Sequence, residues 1–356
     1  MADGDCDLET GVLPPEERRP SRSKRWRPAG VAWDLASKLG GALLSLGLVL
    51  VLGFFLFRIL PGDPVAALTR NNPGAAPEHL DALRTSFGLD KPLLAQFVDY
   101  LKSTMSGDLG VSFKYRRPVS EIILARLWPT MLLVGTATLA STVLGLWVGA
   151  RSGWRRGSAF DKGSTAVALA LWSMPMFWVG MVVLMVFAVG VGPIPGLFPA
   201  AGMRSTASQP GFFTAALDIL WHLMLPCMTL VAAYYAQYAL VMRSSLLDEL
   251  GNTYLTIARA KGLRDDLVRR RHAVPNALLP TVTLIFMELG FVVSGTITVE
   301  TVYSWPGLGW LAYDALSTPD LPLLQGTFLV FSGAVIVMNA FAEVVQRLLD
   351  PRVRAP

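Results

Sequence analysis

Residues 253–280 read TYLTIARAKGLRDDLVRRRHAVPNALLP, a polar and strongly basic run between two long apolar segments. Thr253 is a residue type that commonly caps helix N-termini, and Gly262 tolerates the left-handed conformation that ends many helices. Asp265 and Asp266 stand where the first turn of a second helix favours negative charge. The residues that share one side of the first helix at helical spacing are Tyr254, Ile257, Ala258 and Lys261. The pattern predicts a helix, a glycine break and a second helix.

The composition places this stretch in a membrane protein. Hydrophobic residues make up 53% of the 356 residues and charged residues 16%, a balance typical of a chain embedded in a bilayer. A helix needs roughly 20 residues to cross the hydrocarbon core. Six segments are long and apolar enough, near 41–60, 129–150, 164–191, 220–242, 279–301 and 324–347. We therefore predict an all-α polytopic membrane protein with six transmembrane helices.

The positions of Lys and Arg predict the orientation, because cytoplasmic loops of membrane proteins are enriched in these residues. Lys and Arg concentrate in the N-terminal tail, in 151–162, in 243–271 and at the C-terminus. With six spans these parts lie on one side, so we expect both termini in the cytoplasm. Residues 1–30 are expected to form a disordered basic cytoplasmic tail, and 31–60 the first transmembrane helix, which acts as an uncleaved insertion signal.

A segment of residues 61–127 between the first two spans is expected on the external side. Its basic residues are nearly balanced by acidic ones, and long loops are translocated largely regardless of charge. EHLDALRTSFGL at 78–89 and LLAQFVDYLKSTM at 93–105 have helical periodicity. We expect a small external helical cap, the alternative being a solvated loop that only connects two spans. Residues 128–354 then form the transmembrane core, with a cytoplasmic loop at 243–278.

Residue types exclude several kinds of site. Cys6 and Cys227 are the only cysteines, one in the tail and one in a span, so a disulfide framework is excluded. The three histidines, His79, His222 and His272, fall in three different compartments, which argues against a metal site. The sequence contains no GxxxxGK[ST] motif, so any ATP that drives the protein is bound by a partner.

The opening stretch resembles the cytoplasmic signature loop of ATP-binding-cassette importer permeases, whose pattern is Glu-Ala-Ala, three residues, Gly, nine residues and Ile-x-Leu-Pro. Aligned on Gly262, the residues that agree are Ala258 and Pro275, and Val274 is a mild change. The residues that depart are Thr256, Ile257 and His272. More specific are the strings ARAKGL at 258–263 and RHAVPNALLP at 271–280, which are similar to the dipeptide, oligopeptide and nickel permease family.

The resemblance extends over roughly residues 40–354 and is closest to the first of the two permease subunits in such systems. The other matching strings are LPGDPV at 60–65, GLDKPLLAQFVDYL at 88–101, SGDLGVS at 106–112, SMPMFWVG at 173–180, HLMLPCMTL at 222–230, RSSLLDEL at 243–250, VETVYSWPGLGWL at 299–311 and DPRVR at 350–354. It implies the type I ABC importer permease architecture, with the permease core at 128–354 and the coupling loop at 243–278.

The resemblance also implies the function: a permease subunit of an ABC importer in the bacterial plasma (inner) membrane, and not an enzyme. In such systems a second homologous permease subunit completes the path, two ABC ATPase subunits bind ATP and Mg, and an external solute-binding protein delivers the substrate. This chain is expected to contact membrane lipid, to need no cofactor or metal of its own and to bind no nucleic acid. Di- or oligopeptides are the implied substrates, with a nickel chelate, glutathione or another solute as alternatives.

The short helix over 253–261 resembles the coupling helix that docks on an ATPase subunit in this family. Small Ala258 and Ala260 would allow close approach, apolar side chains would make contact, and Arg259 and Lys261 would flank them with charge. The candidate coupling residues are Tyr254, Leu255, Thr256, Ile257, Ala258, Arg259, Ala260, Lys261, Gly262 and Pro275. Thr256 cannot complete a capping box with Thr253 as a Glu would, so we expect docking to hold this helix.

Glu288 is a charge within the predicted fifth span. A buried ionisable group is costly unless it is paired or faces water, so Glu288 is a candidate for the substrate path, where it would meet a peptide amino terminus or a cationic solute. The alternative is an interhelical hydrogen bond. Four bulky side chains that flank Pro175 in the third span are candidates for a gate or for ordinary packing, namely Trp172, Met174, Phe177 and Trp178.

Other polar residues have structural interpretations. Glu300 is expected to fix the turn through Ser304 to Gly307 in preference to touching substrate, and His222 is expected to pack at the membrane interface. Asp63 and Asp108 lie in glycine-flanked turns, where they cap the turn or dock the solute-binding protein.

Two other classes of protein were weighed against the importer permease. An ion-coupled secondary transporter commonly shows internal repeats and broken helices with charged ion sites, whereas this sequence shows no convincing repeat and Glu288 is its only plausible coupling carboxylate. A membrane enzyme is disfavoured because no nucleophile and base, metal cluster or carboxylate pair converges.

Overall fold

The computed structural model describes residues 28–59, 91–205, 211–318 and 320–349. Within these ranges it leaves out the side chains of 28–36, 58–59, 194, 279, 283, 286–295 and 345–349. Residues 1–27 of the predicted N-terminal tail, the helical pattern at 78–89 and the candidate Asp63 therefore lie outside the described residues. Residues 28–30, predicted as the end of the disordered tail, are helical. The chain divides into two compact units, Met1–Gly40 and Gly41–Pro356. The described part of the first unit is helical, and the features discussed below belong to the second.

The described residues are almost entirely helical. The helices are α1 Pro28–Ile59, α2 Leu93–Met105, α3 Val119–Trp154, α4 Ala159–Ser173, α5 Met176–Leu184, α6 Phe212–Leu250, α7 Thr253–Ala260, α8 Asp265–Val268, α9 Val274–Val302, α10 Leu308–Ser317 and α11 Leu321–Leu349. Two π-helical turns, Met185–Val189 and Arg269–Ala273, extend α5 and join α8 to α9. Two short antiparallel strands, β1 Gly190–Val191 and β2 Ile194–Pro195, follow α5. The predicted all-α fold and the helix at 93–105 are confirmed.

Four helices in the described part of the chain are long and apolar enough to cross a membrane: Ser37–Phe57, Val119–Trp154, Phe212–Leu250 and Leu321–Val344. The pair α4 and α5 passes the same test together, as a broken span or a re-entrant loop. The predicted span at 279–301 lies within α9, where the side chains of 286–295 are outside the described residues. The number six stays a prediction.

Two predicted spans differ from the helices that form. Pro118 immediately precedes α3, so this helix begins at Val119 and not near residue 129. The predicted single span 164–191 is broken, because the two helices on either side of Met174 and Pro175 are bent by 105°. Proline lacks an N–H and its ring opposes a helical conformation in the preceding residue, and Met174 is indeed extended, with φ −88° and ψ 135°.

The tightest helix pair is α3 against α6, and its sequence signal is GxxxGxxxG at Gly145, Gly149 and Gly153. A Cβ atom on Gly149 would lie 2.7 Å from the Cβ of Met242, and one on Gly145 would lie 2.6 Å from the Cβ of Tyr238. The two backbones therefore approach too closely for larger residues, as is common for small-residue interfaces in membrane helices. The sequence analysis did not identify this interface.

Buried apolar clusters follow one another along α6. The first joins Leu133 of α3, Leu223 of α6 and Trp305 after α9, and a further cluster at the other end of α6 includes Met242 and Leu246. This second cluster also buries Leu255 of α7, together with Val268, Ala273 and Ala277 around the start of α9. The basic stretch is therefore packed onto the helical core and is not a free loop.

Candidate functional site

Helix α7 begins one residue earlier than a Thr253 cap would require. Asn252 occupies the N-cap position in an extended conformation, and Thr253 is the first helical residue. The expectation that Thr253 caps the helix is therefore wrong. Asn252 makes no side-chain capping bond, and its amide donates to Glu249 Oε2 at 2.8 Å. The first turn of α7 thus lacks the side-chain cap that stabilises many helices.

Gly262 ends α7 as predicted. Its φ of +83° is in the left-handed region, where a side chain is strained. The N–H of Gly262 donates to the Arg259 carbonyl at 2.9 Å, and the N–H of Leu263 donates to the Ala258 carbonyl at 3.3 Å. This pair of bonds is a Schellman motif, which satisfies carbonyls at the helix C-terminus and sets the direction of the chain beyond it.

The two faces of α7 differ in exposure. Leu255 is 0% exposed and Ala258 is buried beside it in the cluster formed with Met242 and Leu246. Ile257 is 50% exposed, and the exposed residues of the helix and its C-cap are Thr253, Thr256, Ile257, Arg259, Ala260 and Lys261. Leu255 and Ala258 therefore hold α7 onto this chain, which corrects the expectation that they meet a partner. The surface open to a partner is the opposite face, centred on Ile257.

Beyond Gly262 the chain forms one continuous helical segment. Helix α8, the π-helical turn Arg269–Ala273 and α9 follow one another without a gap from Asp265 to Val302. Asp265 and Asp266 lie in its first turn as predicted, and Asp266 contacts Arg269 at 2.6 Å. Pro275 lies at the start of α9, directly after the π-helical turn and inside this continuous segment. We call residues 265–302 the long helix.

Arg259 connects α7 to two neighbours. Its Nε donates to Asp265 Oδ1 at 3.1 Å, and its guanidinium lies 5.7 Å from the ring centroid of Trp154 at the end of α3. A cation over an indole ring is favourable even at a partly exposed position. Arg259 was expected to flank a partner surface, whereas it holds α7 beside the long helix.

Tyr254 makes a second connection, to residues that the sequence analysis did not single out. Its hydroxyl donates to Glu249 Oε2 at 2.5 Å and accepts from Asn276 Nδ2 at 2.9 Å. Burial first, and then the Glu249 carboxylate, raise the pKa of Tyr254 above its ordinary value. No local sequence pattern signals this contact, because Glu249 belongs to the helix before α7 and Asn276 to the helix after it.

A buried ion pair lies near the start of α4. Arg243 of α6 donates to both carboxylate oxygens of Asp161, at 2.6 and 3.1 Å, and Asp161 is 3% exposed. The Gly157 N–H also donates to Asp161, at 2.8 Å. Removing one partner of such a pair would leave an uncompensated buried charge. The sequence analysis used Arg243 only to assign orientation.

The candidates for a substrate path are not brought to one site by the described residues. Trp172 is 52% exposed and Phe177 49%, and they lie on the two sides of the bend between α4 and α5. Met174 is at the bend itself, and Trp178 is also exposed. Glu288 lies in α9, but its side chain is outside the described residues. Their roles stay predictions.

Glu300 has the structural role that was predicted. It is 0% exposed, and its carboxylate accepts from the Thr130 hydroxyl at 2.8 Å and from the Trp310 N–H at 2.9 Å. Thr130 also accepts from the Leu308 N–H at 2.8 Å. A carboxylate at the N-terminus of α10 is favoured by the helix dipole. Glu300 thus fixes the turn between α9 and α10.

Asp108 and His222 also have local partners. Asp108 Oδ1 accepts from the Gly110 N–H at 2.9 Å, which caps a turn, and its side chain remains exposed. His222 is buried, and its Nδ1 lies 2.8 Å from the Asp218 carbonyl. Among the described residues no group of three or more His, Cys, Asp and Glu is placed to hold a metal ion.

Two family descriptions match the sequence. Residues 141–355 match the binding-protein-dependent transport system inner membrane component, and residues 34–134 match the N-terminal binding-protein-dependent transport system membrane component. The chain is 36% identical over 335 residues to the dipeptide transport system permease protein DppB of Escherichia coli (strain K12), covering 88% of this chain and 98% of that protein. It is 33% identical over 317 residues to the glutathione transport system permease protein GsiC of the same strain, covering 89% of this chain and 97% of that protein.

Proposed function

The chain belongs to the family of inner-membrane components of binding-protein-dependent transport systems, as a permease subunit of an ABC importer, and we propose that it moves di- or oligopeptides and is driven through helix α7. It is a transport subunit and not an enzyme. Both relatives described above are named for peptide substrates, a dipeptide in one case and the tripeptide glutathione in the other. Their names support a peptide as the solute.

The proposed assembly has this permease, a second homologous permease subunit, two ABC ATPase subunits and an external solute-binding protein. The absence of a phosphate-binding motif from the sequence supports ATP and Mg being bound by the ATPases. The Lys and Arg distribution supports an orientation with both termini and α7 in the cytoplasm. In this orientation α7 lies on the face that the ATPases occupy.

The observation that carries the proposed mechanism is the geometry around Gly262. Helix α7 has one face buried on its own chain and an opposite face, centred on Ile257, that is free for a partner. The Schellman turn at Gly262 connects α7 to the long helix, which is continuous from Asp265 to Val302. When the ATPases close on ATP, movement of α7 is carried into the membrane by a rigid helical segment, which is how such transporters change between inward-open and outward-open states.

Glu288 and the side chains around Pro175 are the proposed contacts with the substrate. A carboxylate within a span suits the amino terminus of a peptide. Trp172, Met174 and Phe177 flank the 105° bend between α4 and α5, a discontinuity of the kind that transporters place beside a path. Asp63 and Asp108 are the proposed contacts with the solute-binding protein.

The mechanism is tested with Gly262→Val in the reconstituted complex. A β-branched residue at φ +83° costs about 1–2 kcal/mol, which the chain relieves by changing the direction of the turn. We expect insertion and assembly with the ATPases, but loss of substrate-stimulated ATP hydrolysis. Gly192→Val is the matched control, since Gly192 is also left-handed, with φ +60°, and lies in the β1–β2 turn. Full stimulation in Gly262→Val would refute the mechanism.

The substrate is tested on the solute-binding protein that copurifies with the complex. Titration with dipeptides, tripeptides and a nickel chelate, followed by calorimetry, is expected to give saturable binding with peptides. Binding of the nickel chelate alone would contradict the peptide assignment while leaving the coupling mechanism intact.

A further inference from the structure

Three helices meet at the hydroxyl of Tyr254. The hydroxyl donates to Glu249 Oε2, near the end of α6, at 2.5 Å. It accepts from Asn276 Nδ2, at the start of α9, at 2.9 Å. The Asn276 amide also donates to the His272 carbonyl at 2.9 Å, which fixes the orientation of the amide. The Tyr254 side chain therefore uses its donor and an acceptor position to connect α7 with both of its flanking helices.

The bond to Glu249 is the strong member of this group. Hydrogen bonds from a hydroxyl to an ionised carboxylate are shorter and about twice as strong as neutral ones, and 2.5 Å is at the short end of their range. Glu249 Oε2 also accepts from Asn252 Nδ2 at 2.8 Å, so one carboxylate holds the residues on both sides of the α7 N-terminus. Tyr254 remains the donor because burial and Glu249 raise its pKa.

Helix α7 needs such a contact because its own sequence stabilises it poorly. It spans only Thr253–Ala260, and helices this short are marginal without tertiary contacts. Asn252 provides no side-chain cap, and with Asn252 at the N-cap the N3 position is Leu255, which cannot complete a capping box. Leu255 and Ala258 hold the helix against the core and Arg259 holds its C-terminal end, so the Tyr254 contacts are the polar ones that hold its N-terminal turn.

We propose that Glu249 is a positioning residue for coupling: through Tyr254 and Asn276 it sets the orientation of α7 relative to the long helix. The inference rests on the proposed docking of an ATPase on α7. Glu249 supplies, from the preceding helix, a carboxylate acceptor beside the first turn of α7. Its loss leaves α7 in place on its apolar contacts but with a less firmly held N-terminal turn, so that movement of a docked ATPase is carried less completely to α9.

The test uses the complete complex with Glu249→Ala, Tyr254→Phe and the double variant. The readout is the ratio of substrate-stimulated to unstimulated ATP hydrolysis, because a variant that merely folds poorly lowers both rates together. We expect Glu249→Ala to lower this ratio about tenfold, as for the loss of one hydrogen bond to a charged group. Tyr254→Phe should also lower the ratio. The double variant should lose clearly less than the two losses combined, since both single variants remove the Glu249–Tyr254 bond and each removes one further bond of its own, to Asn252 or to Asn276.

Two further variants complete the design. Asp248→Ala is the matched control, because Asp248 is the neighbouring carboxylate and its side chain is exposed, so the ratio should stay within about twofold of wild type. Glu249→Gln keeps an acceptor for the Tyr254 hydroxyl, so its ratio of stimulated to unstimulated hydrolysis should lie between those of Glu249→Ala and wild type. This variant tests the inference even if Glu249→Ala assembles poorly. A wild-type ratio in Glu249→Ala, additive losses in the double variant, or a lower ratio in Glu249→Gln than in Glu249→Ala would each overturn the inference.

Ile257→Asp separates this inference from the proposed function. It places a charge at the centre of the open face of α7 and leaves the Glu249 and Tyr254 side chains unchanged. If Ile257→Asp loses stimulation and Glu249→Ala does not, the docking proposal stands and the positioning role of Glu249 is wrong. If Ile257→Asp also retains full stimulation, the docking proposal itself is wrong, and the positioning role fails with it.

Discussion

The two ends of α9 are built alike and differ in what they leave open. At one end the short helix α10 follows a turn, and at the other the short helix α7 precedes one. Glu300 at the first end is fully buried, and its carboxylate is satisfied by Thr130 and the Trp310 N–H. At the other end Ile257 is half exposed. At the α10 end a buried carboxylate fixes the turn, whereas at the α7 end the buried contacts are the apolar ones of Leu255 and Ala258, and the face centred on Ile257 stays open.

The α10 end is also held by hydrogen bonds from the turn that precedes α3. Asp320 accepts from the Ser112 hydroxyl at 2.5 Å, and Asp314 accepts from Lys114 Nζ at 2.6 Å and from the Tyr115 hydroxyl at 2.8 Å. The turn before α3 is thereby tied to both ends of the α10 to α11 connection. These contacts, together with Glu300, predict that substitutions at this end act on stability, while those at the α7 end act on coupling.

The largest expected effect on stability comes from a Gly→Val substitution, compared at Gly307 in the turn before α10 and at Gly262 in the turn after α7. A Cβ atom on Gly307 would overlap the buried Glu300 carboxylate, whereas one on Gly262 meets open space. Gly307→Val should therefore lower the free energy of unfolding by about 3 kcal/mol or more, seen as loss of folded protein in detergent. Gly262→Val should remain folded. Comparable thermal stability of the two variants would contradict the claim that the α10 end, and not the α7 end, supports the fold.

A smaller effect is expected when the Glu300 carboxylate is removed. Glu300→Ala leaves the Thr130 hydroxyl and the Trp310 N–H without their buried acceptor, which costs about 1–3 kcal/mol. Glu121→Ala is the control, because Glu121 forms an exposed pair with Arg117 at 3.0 Å, worth about 0.5 kcal/mol or less. Thermal unfolding in detergent measures both. Equal shifts would show that the Glu300 contacts do not stabilise the fold.

The smallest effect is a change in alkaline sensitivity. Burial and then Asp314 raise the pKa of Tyr115 to about 12, above its ordinary value near 10. The folded protein therefore keeps this proton where the unfolded chain loses it, so the contribution of Tyr115 is complete below pH 10 and is lost as pH rises towards 12. The stability difference between wild type and Tyr115→Phe, about 1 kcal/mol or less at pH 8, should shrink above pH 10. A difference that grows with pH would contradict this.

Local signals in the sequence predicted much of the coupling segment. Gly262 and the acidic pair at 265–266 act on the backbone within a few residues, so the helix, turn and helix followed from residue types. The apolar runs likewise predicted membrane helices. Proline at position 175 indicated a kink, but the 105° bend depends on how α4 and α5 pack.

The contacts that depend on tertiary structure were not predictable in this way. Glu249 reaches Tyr254 across the break before α7, Asn276 reaches Tyr254 across the turn after it, and Arg243 reaches Asp161 from another helix. The inward positions of Leu255 and Ala258 were also missed, because helical spacing defines a face without saying what covers it.

The central claim is that the open face of α7 docks on an ATPase subunit, and cross-linking in the assembled complex tests it directly. A photoreactive amino acid is placed at Ile257, half exposed on α7, or at Leu316, exposed on α10 at the opposite end of α9. After illumination, the account predicts a cross-link from position 257 to an ATPase subunit and none from position 316. No cross-link to an ATPase from 257, or an equal one from 316, would contradict it.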